Sequence, residues 1–426
     1  MTPSTPDRCP IAHHPVSVAE FLAQFPRVDS YTEIDEVLRS PDFVQGSHFE
    51  SRPVFGGSLV VSDGPRHRTR RRMLMTMFSH EALQRNEREI LSPTIAQAFE
   101  ALKPKRGSDG LVRVDLVSLL RELTIVISAS VTGVDEARQP ERRARLQALV
   151  GKLEAASGVE WSTRNHEEVM QEGIAARREL IRDFLQPALD RRIDLVRRLR
   201  AGELQKSDLP VDLLGILAEQ GEDGSKGEDD TIWRECALFL VAGTQTTSHA
   251  IPNMLWHLDQ WWTEHPEQRQ RATDIEFLRA AANESLRLHQ PVPALLRIAA
   301  NDVALSSGRS FRKGERIALF FSKANRETAA FGDAVEEFNP LRPFRRKPPP
   351  WGLTFGSGAH TCIGRALVTG LSRRYDDTDP THGTIVGVLK ALYQAGAMLD
   401  PVNPPKRNTD SYHDAFASMP ITLHKL

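Results

Sequence analysis

Apolar side chains recur at three- and four-residue spacing along most of the chain, which predicts a protein built mainly from amphipathic helices. The first two helical faces are Val18 to Phe25 and Ile34 to Leu38, the second ending at Ser40 and Pro41. A stretch containing Gly, Ser and Pro, from Gln45 to Pro65, reads as a long loop. Helical spacing resumes at His67 to Met77, Glu87 to Leu102, Val114 to Val131, Glu141 to Ala156 and Glu167 to Leu199. A more continuously apolar run, Glu235 to Ile251, reads as a buried helix with a polar notch at Ala242 to Thr247. Strand-like segments come late, at Ile298 to Leu305 and Ile317 to Phe321, separated by a turn from Ser306 to Gly314. The polar run over residues 221–230 sits between helical patterns and reads as a loop within one domain. The pattern predicts a mainly α fold with small β-sheets: one large helical domain over residues 31–426, preceded by an N-terminal arm and short first helix over residues 1–30.

Charge and composition narrow the function. The 426 residues carry 55 Lys and Arg against 56 Asp and Glu, so no global basic field argues for nucleic acid or an anionic membrane. Cysteines at 9, 236 and 362 are odd in number and far apart, which excludes a disulfide framework and a four-cysteine zinc site. A reducing compartment fits them. Cys9, His13 and His14 lack an evident fourth metal ligand, and Cys236 reads as a buried residue of the apolar helix. There is no apolar run of about 18 residues and no charged-then-apolar leader, so a soluble, cytoplasmic protein is expected.

The chemistry concentrates in FGSGAHTCIGRALVTG, Phe355 to Gly370, where three glycines surround Cys362 and an apolar helical pattern follows at once. A lone cysteine is ordinarily a small buried hydrophobe. Here the loop would feed a helix N-terminus, where backbone N–H groups favour a thiolate. At Phe355, Gly356, Gly358, His360, Cys362 and Gly364 the segment resembles the haem-binding loop of the cytochromes P-450, the haem-thiolate monooxygenases. The resemblance implies a haem b cofactor with Cys362 as proximal iron ligand, its sulfur favouring O–O cleavage. It implies Phe355 beside the sulfur, His360 donating to a propionate, and Gly364 letting the next helix approach the porphyrin.

Other segments extend the likeness over roughly residues 30 to 426. Glu284 and Arg287, three apart on one helical face, would by themselves be a weak signal. With FNPLRP at residues 338–343 they resemble the family's buried lock, in which Arg342 joins them, although Pro343 stands where an aromatic is commoner. Ala324, Asn325 and Arg326 match a further family segment. The basic run from Asp63 to Met73 could be a solvated helix face. It resembles the family's propionate-binding helix, implying His67 and Arg71 as contacts, joined by Arg297; Arg66, Arg68, Arg70 and Arg72 would face an acidic ferredoxin. The start of the chain predicts a reduced first sheet, and Pro380 predicts a helix break before a restart near Thr384.

The apolar helix resembles the family's oxygen-activating helix. Ala242 and Gly243 would leave room for O2, and Thr246 would hydrogen-bond it and help deliver protons. Gln245 stands where the family usually has a carboxylate, and an amide cannot relay protons by ionising. The relay then runs through Thr246, Thr244 and water, or proton delivery is poor and the enzyme accepts peroxide. Helical spacing places Leu238 and Ala242 on the face of Thr246, flanked by Phe239 and Val241. Val292, Ala294 and Leu295 would line the opposite wall, with Val54, Phe55, Ala415 and Phe416 in the remaining substrate regions. This set predicts a small or medium apolar or aromatic substrate, hydroxylated or O-demethylated. No nucleotide-binding segment is evident, so the electrons are expected from a separate ferredoxin and ferredoxin reductase. The alternatives are a peroxide-driven peroxygenase and a non-catalytic haem-binding protein.

Overall fold

The structure, a computed structural model, describes residues 18–221, 231–343, 347–371, 381–408 and 415–426. Cys9, His13 and His14, most of the 221–230 run and the break around Pro380 lie outside them.

One helix organises the rest. Thr231–Glu264 is 34 residues long, extending well past both ends of the apolar run that predicts it. It lies along Leu116–Thr132, a helix apolar on nearly every side and therefore enclosed by others. Asp115 starts that partner by accepting the Ser118 N–H at 2.9 Å. The two helices touch so closely at Gly243 that a Cβ there would lie 2.5 Å from Ser128 Oγ. On one side of the central helix, Pro140–Ser157, His166–Leu180 and Gln186–Arg200 build one apolar core. On the other, Ile275–Leu288 and Thr384–Gln394 build a second. Cys236 is fully buried in the first of these cores. Each buried Leu or Ile contributes roughly 1.5–3 kcal/mol by leaving water.

Two expected elements take a different form. The pattern from Glu167 to Leu199 is interrupted by a wider turn over Ile181–Leu185. Pro187 has no N–H for the Asp183 carbonyl, which instead accepts Arg142 Nη2. The expected loop from Gln45 to Pro65 contains two short helical turns, Arg52–Phe55 and Leu59–Val61.

Sheet is minor, as the pattern predicts. Four short strands run in the order Arg27–Val28, Arg316–Phe320, Ala294–Ala299 and Phe43–Gln45, with Arg297 opposite both Ile317 and Gln45. The first strand is only two residues long. Phe21 and Leu22, on the expected first helix, pack on this sheet against Leu296 and Ala318. A second sheet joins Val112–Asp115, Pro420–Leu423 and Ala397–Leu399. After Cys362 a short helix, Arg365–Thr369, ends at Gly370, and the chain restarts at Thr384. No helix among the described residues is long and apolar enough to cross a membrane.

Candidate active site

The cysteine loop is suspended from the core by hydrogen bonds. Arg287 is fully buried and forks onto Glu284 through two bonds of 2.8 and 2.7 Å. Arg342 Nε reaches the same carboxylate at 2.9 Å, so the three lock residues come together, Pro343 notwithstanding. Arg287 also donates to the Asn325 carbonyl at 2.8 Å, and Asn325 Oδ1 accepts the Leu353 N–H at 2.8 Å. Thr354 Oγ1 donates to the Leu286 carbonyl at 2.7 Å. Beyond it the loop closes on itself, Cys362 N–H donating to the Phe355 carbonyl at 2.8 Å. Gly358 has φ 67°, and a Cβ there would meet the Leu38 carbonyl at 2.4 Å, so only glycine permits this docking.

The loop faces a cavity of about 370 Å³ under the central helix. Cys362 is open to that cavity yet lies deep in the protein. Burial pushes its thiol up, opposed by the Gly364 N–H and the charges of Arg71 and Arg365. His67, Arg71, Arg297, Phe355, His360 and Gly364 line the same space. Burial pulls His67 down to about 4, aided by His360 and Arg71, and its Nε2 is buried without a hydrogen-bond partner among the described residues. Arg297 is likewise pulled down to about 10 by burial; its Nη1 donates to Gln45 Oε1 at 2.7 Å. Arg71 Nη2 donates to the Thr361 carbonyl at 2.6 Å. The His360 ring lies against that of His67, centroids 4.0 Å apart and tilted by 36°, and its Nε2 is engaged by Asp63 at 3.0 Å. The expected propionate bond from His360 is therefore left to Nδ1.

Around Cys362 this wall holds Arg71, Arg297, His67 and His360 and, among the described residues, no carboxylate. Asp63, behind His360 and acting on Arg297, is one carboxylate against two arginines, and a positive excess is costly to bury. A planar dianion bearing a thiophilic iron answers each oddity at once: the cationic wall, the orphaned His67 nitrogen, the thiol, and the open space beside Gly364, where an added Cβ meets nothing within 4 Å. The residues present therefore fit a haem.

Not every expected residue reaches the cavity. From the central helix Leu238, Phe239, Ala242, Gly243 and Thr246 do, as do Val292 and Leu295 opposite. Thr246 Oγ1 donates to the Ala242 carbonyl at 2.8 Å. Gln245 and Thr244 do not line it, since they stand about 100° and 200° around the helix from Thr246. Gly243 both lines the cavity and lets Ser128 approach. Val241 turns into the core, and Ala294 faces away because strand alternation sends Leu295 inward and Ala294 and Leu296 outward. Val54 and Phe55, 0% and 2% exposed, also belong to the core rather than the cavity. Arg177 bonds the Pro53 and Val54 carbonyls and Arg234 those of Arg52 and Pro53, which turns these side chains inward. Phe416 packs on Trp256 and under the Arg407 guanidinium, 3.9 Å from its ring, and Ala415 is buried beside it, off the cavity wall. Their places are taken by residues that the sequence reading passed over: Leu59, Val60, Thr247, Ala250 and, from the partner helix, Thr124, Ser128 and Val131. Ala250, four after Thr246, was open to periodicity; Thr124 and Ser128, four apart, mark one small polar stripe on the partner helix.

Residues 28–369 match the family described as Cytochrome P450. Putative cytochrome P450 YjiB of Bacillus subtilis is 25% identical over 342 residues, 79% of this chain and 76% of that protein. Cyclooctat-9-en-7-ol 5-monooxygenase of Streptomyces melanosporofaciens is 27% identical over 389 residues, 85% of this chain and 77% of its own length. The solved structure of substrate-free CYP109E1 from Bacillus megaterium shares the fold with a TM-score of 0.70 at 20% identity, covering 95% of this chain and 94% of that one. With a cysteine loop, an acid–arginine lock and a cationic cavity wall in one helical frame, the chain belongs to the cytochrome P450 family of haem-thiolate monooxygenases.

Proposed function

We propose that the protein oxidises a small or medium apolar or aromatic substrate with O2, by hydroxylation or O-demethylation, in the cytoplasm, taking its electrons from a separate ferredoxin and ferredoxin reductase. The observation that carries this reading is the division of one cavity into a cationic wall around Cys362 and an apolar wall of Leu238, Phe239, Val292 and Leu295.

Cys362 would hold the iron, and His67, Arg71 and Arg297 the two propionates, with His360 supporting His67. Haem, when bound, supplies the site at which O2 is reduced and one oxygen atom is passed to a C–H bond. Burial raises the Cys362 thiol, and the Gly364 and Arg365 N–H groups with the Arg71 and Arg365 charges favour the thiolate that would hold the iron. Phe355 screens the sulfur from further hydrogen bonding, which tunes how strongly it donates. The Thr246 hydroxyl donates a hydrogen bond to the Ala242 carbonyl, which leaves its oxygen able to accept one from a water in the cavity. To donate into the cavity it must leave that carbonyl, at about 1 kcal/mol. Thr247 adds a second hydroxyl to the wall. Gln245, off the wall and unable to ionise, leaves proton delivery to these hydroxyls and to water. The apolar wall excludes bulk water and holds substrate by shape.

The test is turnover of an apolar and aromatic substrate panel with O2, reduced nicotinamide and a surrogate ferredoxin system, beside hydrogen peroxide alone. Product that requires O2 and the ferredoxin supports the reading; equal product from peroxide alone overturns it.

A further inference from the structure

His48 stands at a conspicuous point of the cavity wall and has no part in the chemistry above. Its backbone has φ 65°, a region that side chains other than Gly and Asn seldom occupy. The neighbouring contacts hold it there. Ser47 Oγ accepts the Leu296 N–H at 3.0 Å, and the buried Glu160 accepts the Phe49 N–H at 2.6 Å and the Glu50 N–H at 3.3 Å. Arg316 steadies Glu160 at 2.9 Å and bonds the Gly46 carbonyl at 2.7 Å. The ring so placed lies 3.2 Å through Nδ1 from the Ser157 carbonyl. A carbonyl only accepts, so Nδ1 carries the proton and Nε2 presents a lone pair. Nε2 has no hydrogen-bond partner among the described residues, and the ring lines the cavity. Burial keeps the imidazole neutral by pulling it below its ordinary range.

We propose that His48 Nε2 is a substrate-orienting acceptor, and that the substrate is an apolar molecule carrying a hydroxyl, which donates to it. The inference rests on the proposed oxidation of an apolar substrate in this cavity and names its class more narrowly. A neutral, proton-free nitrogen does not pair with a carboxylate, which separates this role from that of the propionate contacts. Such an acceptor discriminates by orientation, because a ligand that lacks the donor leaves it unpaired.

The experiment titrates haem-loaded protein with menthol, borneol, geraniol and dodecanol, each beside its methyl ether, following the shift of the Soret band. Wild type is expected to bind at least one alcohol about five- to tenfold more tightly than its ether. His48→Phe keeps a ring of similar shape, and His48→Asn keeps a residue that tolerates positive φ. Both are expected to bring the ratio close to one and leave ether binding and haem content unchanged. The proposal is overturned if no alcohol outbinds its ether in wild type, or if the preference survives in both variants. Loss of haem in both folded variants also overturns it, assigning the ring to the cofactor instead. A wild type without the thiolate-type band in its reduced CO complex fails earlier and overturns the proposed function with it.

Discussion

Glu284→Gln removes the one negative charge shared by two guanidinium groups. Glu284 is 3% exposed and Arg287 0%, so water cannot replace the lost carboxylate at Arg287. Breaking a buried pair by neutralising one partner costs about 3–5 kcal/mol. The Arg342 side chain is 16% exposed and recovers part of its solvation, which places the expected loss near 3 kcal/mol, a large share of a typical stability of about 5–15 kcal/mol. For 426 residues the unfolding entropy is on the order of 0.9 kcal/mol/K, so the midpoint falls by roughly 3–4 °C. The lock reaches the cysteine loop through Asn325 and Leu353, and haem release is therefore expected at a lower urea concentration than loss of helix. The assay is urea and thermal unfolding of haem-loaded protein, followed by far-ultraviolet circular dichroism and by the Soret band. Arg287→Lys keeps the charge but loses the fork, and its stability is expected to fall between that of the Glu284→Gln protein and that of wild type. A Glu284→Gln protein with unchanged urea midpoint and slope refutes the reasoning.

Three further outcomes follow from the same geometry. Gly243→Ala forces Ser128 and the two long helices apart, lowering stability by about 1–3 kcal/mol; the Ser128→Ala background should recover part of it, and strict additivity of the two in denaturant unfolding speaks against the contact. His67 is held neutral down to about pH 4, whereas the unfolded chain takes up its proton near 6.5. Haem-free protein should therefore keep its full stability above about pH 6.5 and lose this share as pH falls toward 4; His67→Asn should flatten that slope, and an identical pH profile for the variant contradicts the assignment. Arg297→Ala removes a buried cation from a wall without carboxylates, and haem transfer to apomyoglobin should quicken about ten- to a hundredfold, an unchanged rate counting against a propionate role.

Much of the site could be read from the sequence because its signals are local. Six positions of the cysteine loop, and Glu284 and Arg287 on one helical face, are short-range patterns that the fold must realise close together. Arg342 was legible only through its own segment, since it lies 58 positions from Glu284. The apolar walls were less legible, for two physical reasons. In a chain with this much core, an apolar side chain at Val54, Phe55 or Phe416 looks the same whether it faces a ligand or another helix. What decides is backbone held by distant charges, such as Arg177 on the Pro53 carbonyl, which leave no periodic trace. His48 shows the converse: its place depends on a positive φ and on bonds to residues more than a hundred positions away. The two-residue strand at Arg27–Val28 and the strand at Phe43–Gln45 were likewise too short for alternation to reveal.

The central claim is that Cys362 holds haem iron as a thiolate in this cavity. It is tested most directly by reducing the purified protein under carbon monoxide and recording the Soret band, in wild type and in Cys362→His. Wild type should show the red-shifted thiolate-type band, and the variant should show the unshifted band of a histidine-ligated haem or bind no haem. A wild-type protein that binds haem but gives the unshifted band, or a Cys362→His protein that keeps the red-shifted one, contradicts the account.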